Sequence, residues 1–336
     1  MSEPLLRVSD LRVEFSLARG TVRAVDGASF EVGRGEALGL VGESGSGKTV
    51  ALRALVGLLP RSADIAGGTI EFDGVDVLKL DDDRRRELRG RSIAMVFQEP
   101  MTALNPVMRI VDQIAEMPLV RLGMGRRRAR QRALELMRVV GIPDANRRAD
   151  AYPHELSGGL RQRVMIAIAL SGDPKLLLCD EPTTALDVTI QDQILKLLLS
   201  LREELGVSLV FVSHDLAVIA QACRRVAVMY AGRVVETGAV DEVFREPRHP
   251  YTLGLLRSVP DVDGVRERLS SIPGAPPDPA ALPVGCPFHP RCPFAILECT
   301  HGDFPLRPLG GGRATACIRH DVCAEEARRD PVVANA

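Results

Sequence analysis

The eight residues GESGSGKT, positions 42–49, fit the pattern GxxxxGK[ST] and follow directly on the apolar run EALGLVG. Few patterns restrict a chain so severely, because this one needs a strand before it and a helix after it. Gly42, Gly45 and Gly47 let the backbone N–H groups of the loop, those of Ser44 and Ser46 included, turn inward around phosphate oxygens at the positive end of the helix. Lys48 is placed to reach β- and γ-phosphates, and Thr49 to offer its hydroxyl to Mg2+. Of 43 basic residues only four are lysines, Lys48, Lys79, Lys175 and Lys196. A chain that otherwise uses arginine keeps a lysine at position 48, which points to a need for a compact ammonium rather than a planar guanidinium.

Around this loop the pattern is α/β. LLRVSDLRVEF, TVRAVDGASFEV and EALGLVG, within residues 5–41, read as strands. From about 48 to 250, helices alternate with short apolar strands such as SIAMVF, KLLLCD and SLVFVSHD. That alternation predicts a mostly parallel sheet covered by helices. A helix-rich interval from about 108 to 170 has no strand of its own. Between 258 and 285 six prolines and no period predict a linker or an irregular wrap. A length of 336 residues suits one large α/β domain with an appendage, or two ordinary domains.

A formal net charge of −1 builds in no global attraction to nucleic acid or anionic lipid. The start MSEPLLRVSDLRVEF lacks the basic and apolar regions of a secretory signal, so a cytoplasmic location is expected. VMIAIAL at 164–170 and LKLLLSL at 195–201 fall far short of the roughly 20 apolar residues that span a bilayer. Contact with a membrane would then go through a partner. The basic run GRRRARQR, 125–132, could meet lipid phosphates or a partner, but arginines on one solvated helix are the commoner arrangement.

LLLCDEP, 176–182, is an apolar strand ending in two acids. Asp180 at the strand's C-terminal edge suits Mg2+, and Glu181 beside it suits polarising a water. Downstream, LSGGLRQR at 156–163 reads locally as a loop and helix start, with Ser157 as the cap. It also resembles the signature motif of ATP-binding-cassette (ABC) ATPases. The other cassette elements stand in that family's order. Gln98 in VFQEP resembles the glutamine loop, Ala185-Leu186-Asp187 the loop after the acids, and His214 in VSHD the switch histidine. Phe15 matches the aromatic residue that stacks on adenine.

The resemblance implies an ATPase that works as a dimer. Ser157, Gly158 and Gly159 of one subunit would close over ATP in the phosphate loop of the other, with Asp187 in the adjoining loop. Glu181 would promote water attack on the γ-phosphate, assisted by Lys48, Gln98, His214 and Mg2+, the ion being held by Thr49, Gln98 and Asp180. The implied fold is an α/β ABC-type P-loop NTPase with an N-terminal antiparallel β subdomain, a parallel-sheet core and a helical subdomain at about 98–170. An ATPase domain over 1–250 would be followed by a small irregular cysteine-rich extension over 251–336.

Three tracts narrow the resemblance: FQEPMTALNP at 97–106, YPHELSGGLRQRVMIAIAL at 152–170 and RHPYTLGLLRSVP at 248–260. They are similar to those of ATP-binding subunits of dipeptide, oligopeptide and nickel importers. Such a subunit pairs with a second cassette ATPase beneath two membrane-spanning subunits, at the cytoplasmic face, with an extracytoplasmic solute-binding protein. Import of short peptides is the expected function, with nickel or another solute as the alternative. A cassette acting on nucleic acid or ribosomes would usually carry two cassettes or a long coiled coil, and this chain shows neither. A nucleotide-binding regulator without turnover would not need both Glu181 and His214.

Five of the seven cysteines, Cys286, Cys292, Cys299, Cys317 and Cys323, lie in the last 51 residues. Disulfides are disfavoured in a reducing compartment. The paired CxxC knuckles of most structural zinc sites are missing, whereas four thiolates on an irregular loop can hold an iron–sulfur cluster. Importer ATPases with this type of CPFxPRC tract bind a [4Fe–4S] cluster, and the resemblance carries that ligand set to Cys286, Cys292, Cys299 and Cys317. Cys323 is left out, His289 is an alternative ligand, and zinc or unliganded thiols remain open. A structural staple is the expected role, with redox sensing as the second reading.

Overall fold

The computed structural model describes residues 3–18, 20–184, 186–258 and 271–330. Its strands are β1 (Leu6–Leu17), β2 (Gly20–Val32), β3 (Ala37–Val41), β4 (Ala63–Phe72), β5 (Val75–Asp76), β6 (Ile93–Val96), β7 (Leu176–Asp180), β8 (Ser208–Ser213), β9 (Arg225–Tyr230), β10 (Arg233–Ala239), β11 (Arg307–Gly310) and β12 (Arg313–Thr315). Two compact units divide the chain. One comprises Glu3, Val32–Glu36 and Val77–Val212; the other comprises Pro4–Glu31, Ala37–Asp76 and the described residues from Ser213 onward.

The second unit holds the N-terminal sheet, in the order β2-β1-β4-β5, with β1 antiparallel to β4 and β4 to β5. Leu6, Val8, Leu11 and Val13 of β1 are buried, although the step from Val8 to Leu11 breaks a strict alternation. A bulge resolves the conflict: Asp10 takes a φ of 49° and the register with β4 shifts between Ser9 and Arg12. One extra residue turns the next apolar side chains back to the same face. The change to helices and short core strands expected from residue 48 onward is corrected here. β4, with paired glycines that blur its period, and β5 return to the N-terminal sheet instead.

The same unit carries a second set of strands in the order β11-β12-β10-β9-β3. β3 runs parallel to β9, while the β9–β10, β10–β12 and β12–β11 pairs are antiparallel. The C-terminal extension is therefore less irregular than expected. From 271 to 306 its only regular pieces are the short 3-10 turns His289–Arg291 and Leu297–Thr300; it then forms the β11–β12 hairpin and the helix His320–Arg329. Glu236 of β10, with 0% of its surface exposed, anchors this addition. Its carboxylate accepts from the backbone N–H of Arg248 at 2.7 Å and of His249 at 2.9 Å, and from the Arg313 guanidinium of β12 at 2.9 Å. Of the proline-rich linker expected at 258–285, residues 259–270 lie outside the described residues, as do Val259 and Pro260 of the RHPYTLGLLRSVP tract.

In the first unit β6, β7 and β8 are parallel neighbours in the order β6-β7-β8, and every residue of the three is buried. Burial on both faces explains their unbroken apolar sequences. The interval expected to be helical is so: Pro100–Ala103, Ile110–Val120, Arg126–Val139, Ala145–Arg148 and Gly158–Leu170 follow one another without a strand. The basic run opens the helix Arg126–Val139, with Arg126, Arg127 and Arg128 exposed. Arg130 pairs with Asp150 at 3.0 Å and Arg132 with Asp173 at 2.5 Å, as on a solvated helix face. Among the described residues no helix is long and apolar enough to cross a membrane.

Candidate functional site

In the second unit the fully buried β3 delivers the chain into the glycine loop, and Gly47 caps the helix Lys48–Leu55. The glycines are dictated by space as well as by backbone angle. A Cβ on Gly42, at φ 152°, would stand 2.2 Å from the Met229 carbonyl oxygen, and one on Gly47, at φ 99°, 2.4 Å from that of Ala24. Gly45 faces open space, and Ser44 beside it is exposed. Lys48 is buried, and its ammonium donates to the carbonyls of Gly42 at 2.7 Å and Glu43 at 2.9 Å and to the Ser46 hydroxyl at 3.2 Å. Three ammonium donors meeting three oxygens fix the charge at the loop. Thr49 is half-buried in the first turn of the helix. Phe15 of β1 is half-buried opposite Ala63, and His214 is exposed immediately after β8.

In the first unit the acid pair sits as the strand reading required. Asp180 ends β7 with only 3% of its surface exposed. Glu181 follows at a φ of 47°, a left-handed conformation that costs a residue with a side chain about 1–2 kcal/mol. Its N–H is tied to the Val212 carbonyl at 3.0 Å. Its Oε2 accepts from Gln98 Nε2 at 3.0 Å and from Thr184 Oγ1 at 2.9 Å. Two loops more than eighty residues apart in sequence thus meet at one carboxylate oxygen.

Ser157 is the helix cap expected of it, accepting from the Leu160 N–H, and both Ser157 and Gly158 are exposed. A Cβ on Gly159 would lie 2.8 Å from Ile190 Cγ2. Buried Gln162, one turn into that helix, donates to the Pro182 carbonyl at 2.6 Å, which joins the signature tract to the segment after Glu181. Asp187 caps the helix Val188–Leu205 by accepting from the Ile190 N–H at 2.9 Å. Ala185 lies outside the described residues.

Cys286, Cys292, Cys299 and Cys317 line one cavity in the second unit, together with Phe288, Phe294, Phe304 and Ile318. Burial pushes the Cys286 thiol up, Cys292 up to about 11 and Cys317 up to about 12, and each feels the charge of neighbouring cysteines in the group. His289 lines the cavity as well, its Nδ1 lying 2.9 Å from the Cys286 carbonyl oxygen. Cys323 is buried in the helix His320–Arg329 and does not line it. Among the described residues no three His, Cys, Asp or Glu side chains converge as ligands of one metal ion.

Sequence reasoning missed the residues that grip the loop from outside. Arg291 forks onto the Glu43 carboxylate at 2.7 and 3.1 Å, and the Glu43 N–H donates to the Tyr251 hydroxyl at 2.6 Å. Partners 248 and 208 residues apart leave no local signal.

The sequence profile of the ABC transporter family matches residues 25–184, and that of the oligopeptide/dipeptide transporter C-terminal region matches residues 235–299. A putative peptide import ATP-binding protein of Brucella abortus is 51% identical over 314 residues, covering 94% of each chain. The oligopeptide transport ATP-binding protein OppD of Escherichia coli is 46% identical over 95% of this chain and 94% of its own. The dipeptide transport ATP-binding protein DppD of Escherichia coli is 47% identical, over 93% of this chain and 96% of its own. Among solved structures, the dimeric ATP-binding cassette MJ0796 bound to ADP and Pi overlaps with a TM-score of 0.62 at 30% identity, covering 70% of this chain and 98% of that one. With the phosphate loop, acid pair and signature helix formed as described, the chain belongs to the ABC transporter family and is one of its ATP-hydrolysing subunits.

Proposed function

We propose that this chain hydrolyses ATP to drive import of short peptides, at the cytoplasmic face of the membrane. In this reading it docks on two membrane-spanning subunits, pairs with a second cassette ATPase, and works with an extracytoplasmic solute-binding protein. The matched C-terminal region and the names of the relatives support the substrate class. The observation that carries the chemistry is Glu181, its carboxylate steadied by Gln98 and Thr184 at the end of a buried strand.

Lys48 and the N–H groups of Gly42 to Thr49 hold the phosphates, with the helix Lys48–Leu55 turning its positive end toward them. Phe15 stacks on the base. Glu181 takes up the proton of the attacking water, while Gln98 and His214 orient that water and the γ-phosphate. Ser157, Gly158 and Gly159 bind the γ-phosphate of the partner cassette's ATP at a second helix N-terminus, with Asp187 bracing the adjoining helix. Thr49, Asp180 and Gln98 supply oxygen donors of the kind Mg2+ takes; the ion neutralises phosphate charge when bound.

Glu181→Gln keeps the shape and the hydrogen-bond acceptor but not the base. Turnover in the assembled complex is expected to fall about 10²–10⁴-fold with ATP binding retained. Lys48→Ala is expected to weaken binding itself. Wild-type turnover in the Gln variant would refute the role of Glu181. A purified monomer turning over as fast as the complex would refute the shared site.

The same reading gives the four cavity thiols a [4Fe–4S] cluster. They share one apolar cavity, the donor set is soft, and a cluster places its ligands on separate irons rather than around one centre. Its chemistry there is that of a staple for a segment with few large apolar residues. Anaerobic purification is expected to yield about four iron and four sulfide per chain, lost in Cys292→Ser. Stoichiometric zinc, or no metal, defeats the assignment.

A further inference from the structure

Glu43 is an anion built into a loop that has to receive anions. It is the first residue after Gly42 in the phosphate loop, and its own carbonyl accepts from the Lys48 ammonium at 2.9 Å. An unpaired carboxylate there would repel the phosphates that Lys48 attracts. The second unit cancels it with a residue from the cysteine-rich extension. Arg291 is buried to 5% side-chain exposure, and all five of its N–H donors are used. Nε donates to the Pro273 carbonyl at 2.9 Å. One terminal nitrogen donates to Glu43 at 2.7 Å and Tyr230 Oη at 3.4 Å; the other donates to Glu43 at 3.1 Å and the Ile272 carbonyl at 3.3 Å. The guanidinium also lies 5.9 Å from the ring centres of Tyr230 and Phe288, which brace it in place.

The extension reaches the loop a second time. Pro276, Pro277, Pro279 and Leu282 wall a cavity whose other side is Glu43, Ser44, Gly45 and Ser46. The Pro279 carbonyl accepts from the Arg23 N–H of β2 at 3.4 Å, which holds that segment alongside.

We infer that Arg291 is a positioning residue for nucleotide binding: it neutralises and fixes Glu43, so that the phosphate loop presents Lys48 without an opposing charge. The inference rests on ATP being the ligand of this loop. Since Arg291 stands between Pro290 and Cys292, whatever orders the cysteine segment also orders this clamp.

Equilibrium binding of a fluorescent ATP analogue to the purified full chain tests it, with circular dichroism to confirm folding. Arg291→Gln is expected to raise Kd about tenfold, equivalent to about 1.4 kcal/mol. Arg291→Lys keeps the charge but loses the planar fork that spans both Glu43 oxygens, and is expected to bind more weakly than wild type but no more weakly than Arg291→Gln. Adding Glu43→Gln to Arg291→Gln removes the stranded carboxylate and is expected to restore binding to within about threefold. Deleting a stranded charge also restores stability, so urea midpoints are measured beside Kd: a residue that merely held the fold together would move the midpoint and leave the Kd of the folded chain unchanged. The inference is overturned if Arg291→Gln binds within threefold of wild type or if the double variant is no better than the single. Should Arg291→Gln fail to fold, the double variant decides: binding within about threefold of wild type supports the inference and weaker binding overturns it. Lys48→Ala is the control. Wild type that binds no nucleotide removes the ATP reading and this inference with it, whereas wild type that binds alongside an unaffected Arg291→Gln removes this inference alone.

Discussion

Replacing Arg313 by Leu strips the charged partner from a carboxylate with no access to water. Glu236 would keep the Arg248 and His249 N–H groups but lose the guanidinium at 2.9 Å. Stranding one member of a buried ion pair costs about 3–5 kcal/mol. The size depends on pH in a defined direction. Burial holds the Glu236 carboxyl above the usual carboxylate range, and Arg313 opposes that rise. A raised folded-state value contributes stability that is fully present below the unfolded value and is lost as pH rises through the folded one. Without Arg313 the folded value climbs further, so the variant goes on losing stability at pH where wild type no longer does. The gap between the two should therefore widen with rising pH, by at most about 1.4 kcal/mol per pH unit. Urea unfolding can be followed by near-ultraviolet circular dichroism, because the chain has no tryptophan and two of its three tyrosines, Tyr230 and Tyr251, pack 4.5 Å apart in the same unit as the pair. The double variant Glu236→Gln/Arg313→Leu removes the buried charge but keeps an oxygen for only one of the two N–H groups, and should recover part of the loss and flatten its pH dependence. A deficit below about 1 kcal/mol, or one that does not widen as pH rises, would show that the pair is not anchoring the hairpin.

Three further outcomes follow from single side chains. Gly47→Ala puts a methyl group against the Ala24 carbonyl and should lower the Tm and abolish nucleotide-analogue binding, with at least about 1–2 kcal/mol lost to backbone conformation alone. His249 is buried, and burial lowers it to about 3, so its contribution is present above the unfolded value of about 6.5 and lost as pH falls from there toward 3. His249→Asn keeps a capping acceptor for the Tyr251 N–H and should flatten the acid limb of stability measured by urea unfolding across that window. The metal-free chain should alkylate Cys292 and Cys317 slowly at neutral pH, with rates rising about tenfold per pH unit, because thiols raised to about 11 and 12 are almost wholly protonated there; mass spectrometry of iodoacetamide time courses measures it.

The parts of the fold legible in the sequence are those where the needed contacts are local. A glycine loop between β3 and its helix, an acid pair ending β7, and Ser157 capping its helix are each written within a dozen residues, and each is found. β4 was not legible, because its glycines spoil the alternation and its partner β1 lies some sixty residues back. The hairpin of β11 and β12 was not legible either, since a three- or four-residue strand carries no measurable period. At the site, the meeting of Gln98 with Glu181 was implied only by family resemblance. Arg291 lies inside a tract marked only by its cysteines and prolines, and nothing in CPFHPRC announces a partner at Glu43.

The unit that holds the phosphate loop is assembled from both ends of the chain, with Val77–Val212 in the other unit between them. On the ribosome this becomes a delay. Glu43 emerges 248 residues before Arg291, and at about 5–20 residues per second the loop waits about 12–50 s for the residue that neutralises it. Over that interval β3 also lacks β9, its parallel neighbour within the unit, for all but the final stretch of synthesis. A nascent chain stalled or truncated before the cysteine segment carries every nucleotide motif in its sequence and none of the clamp.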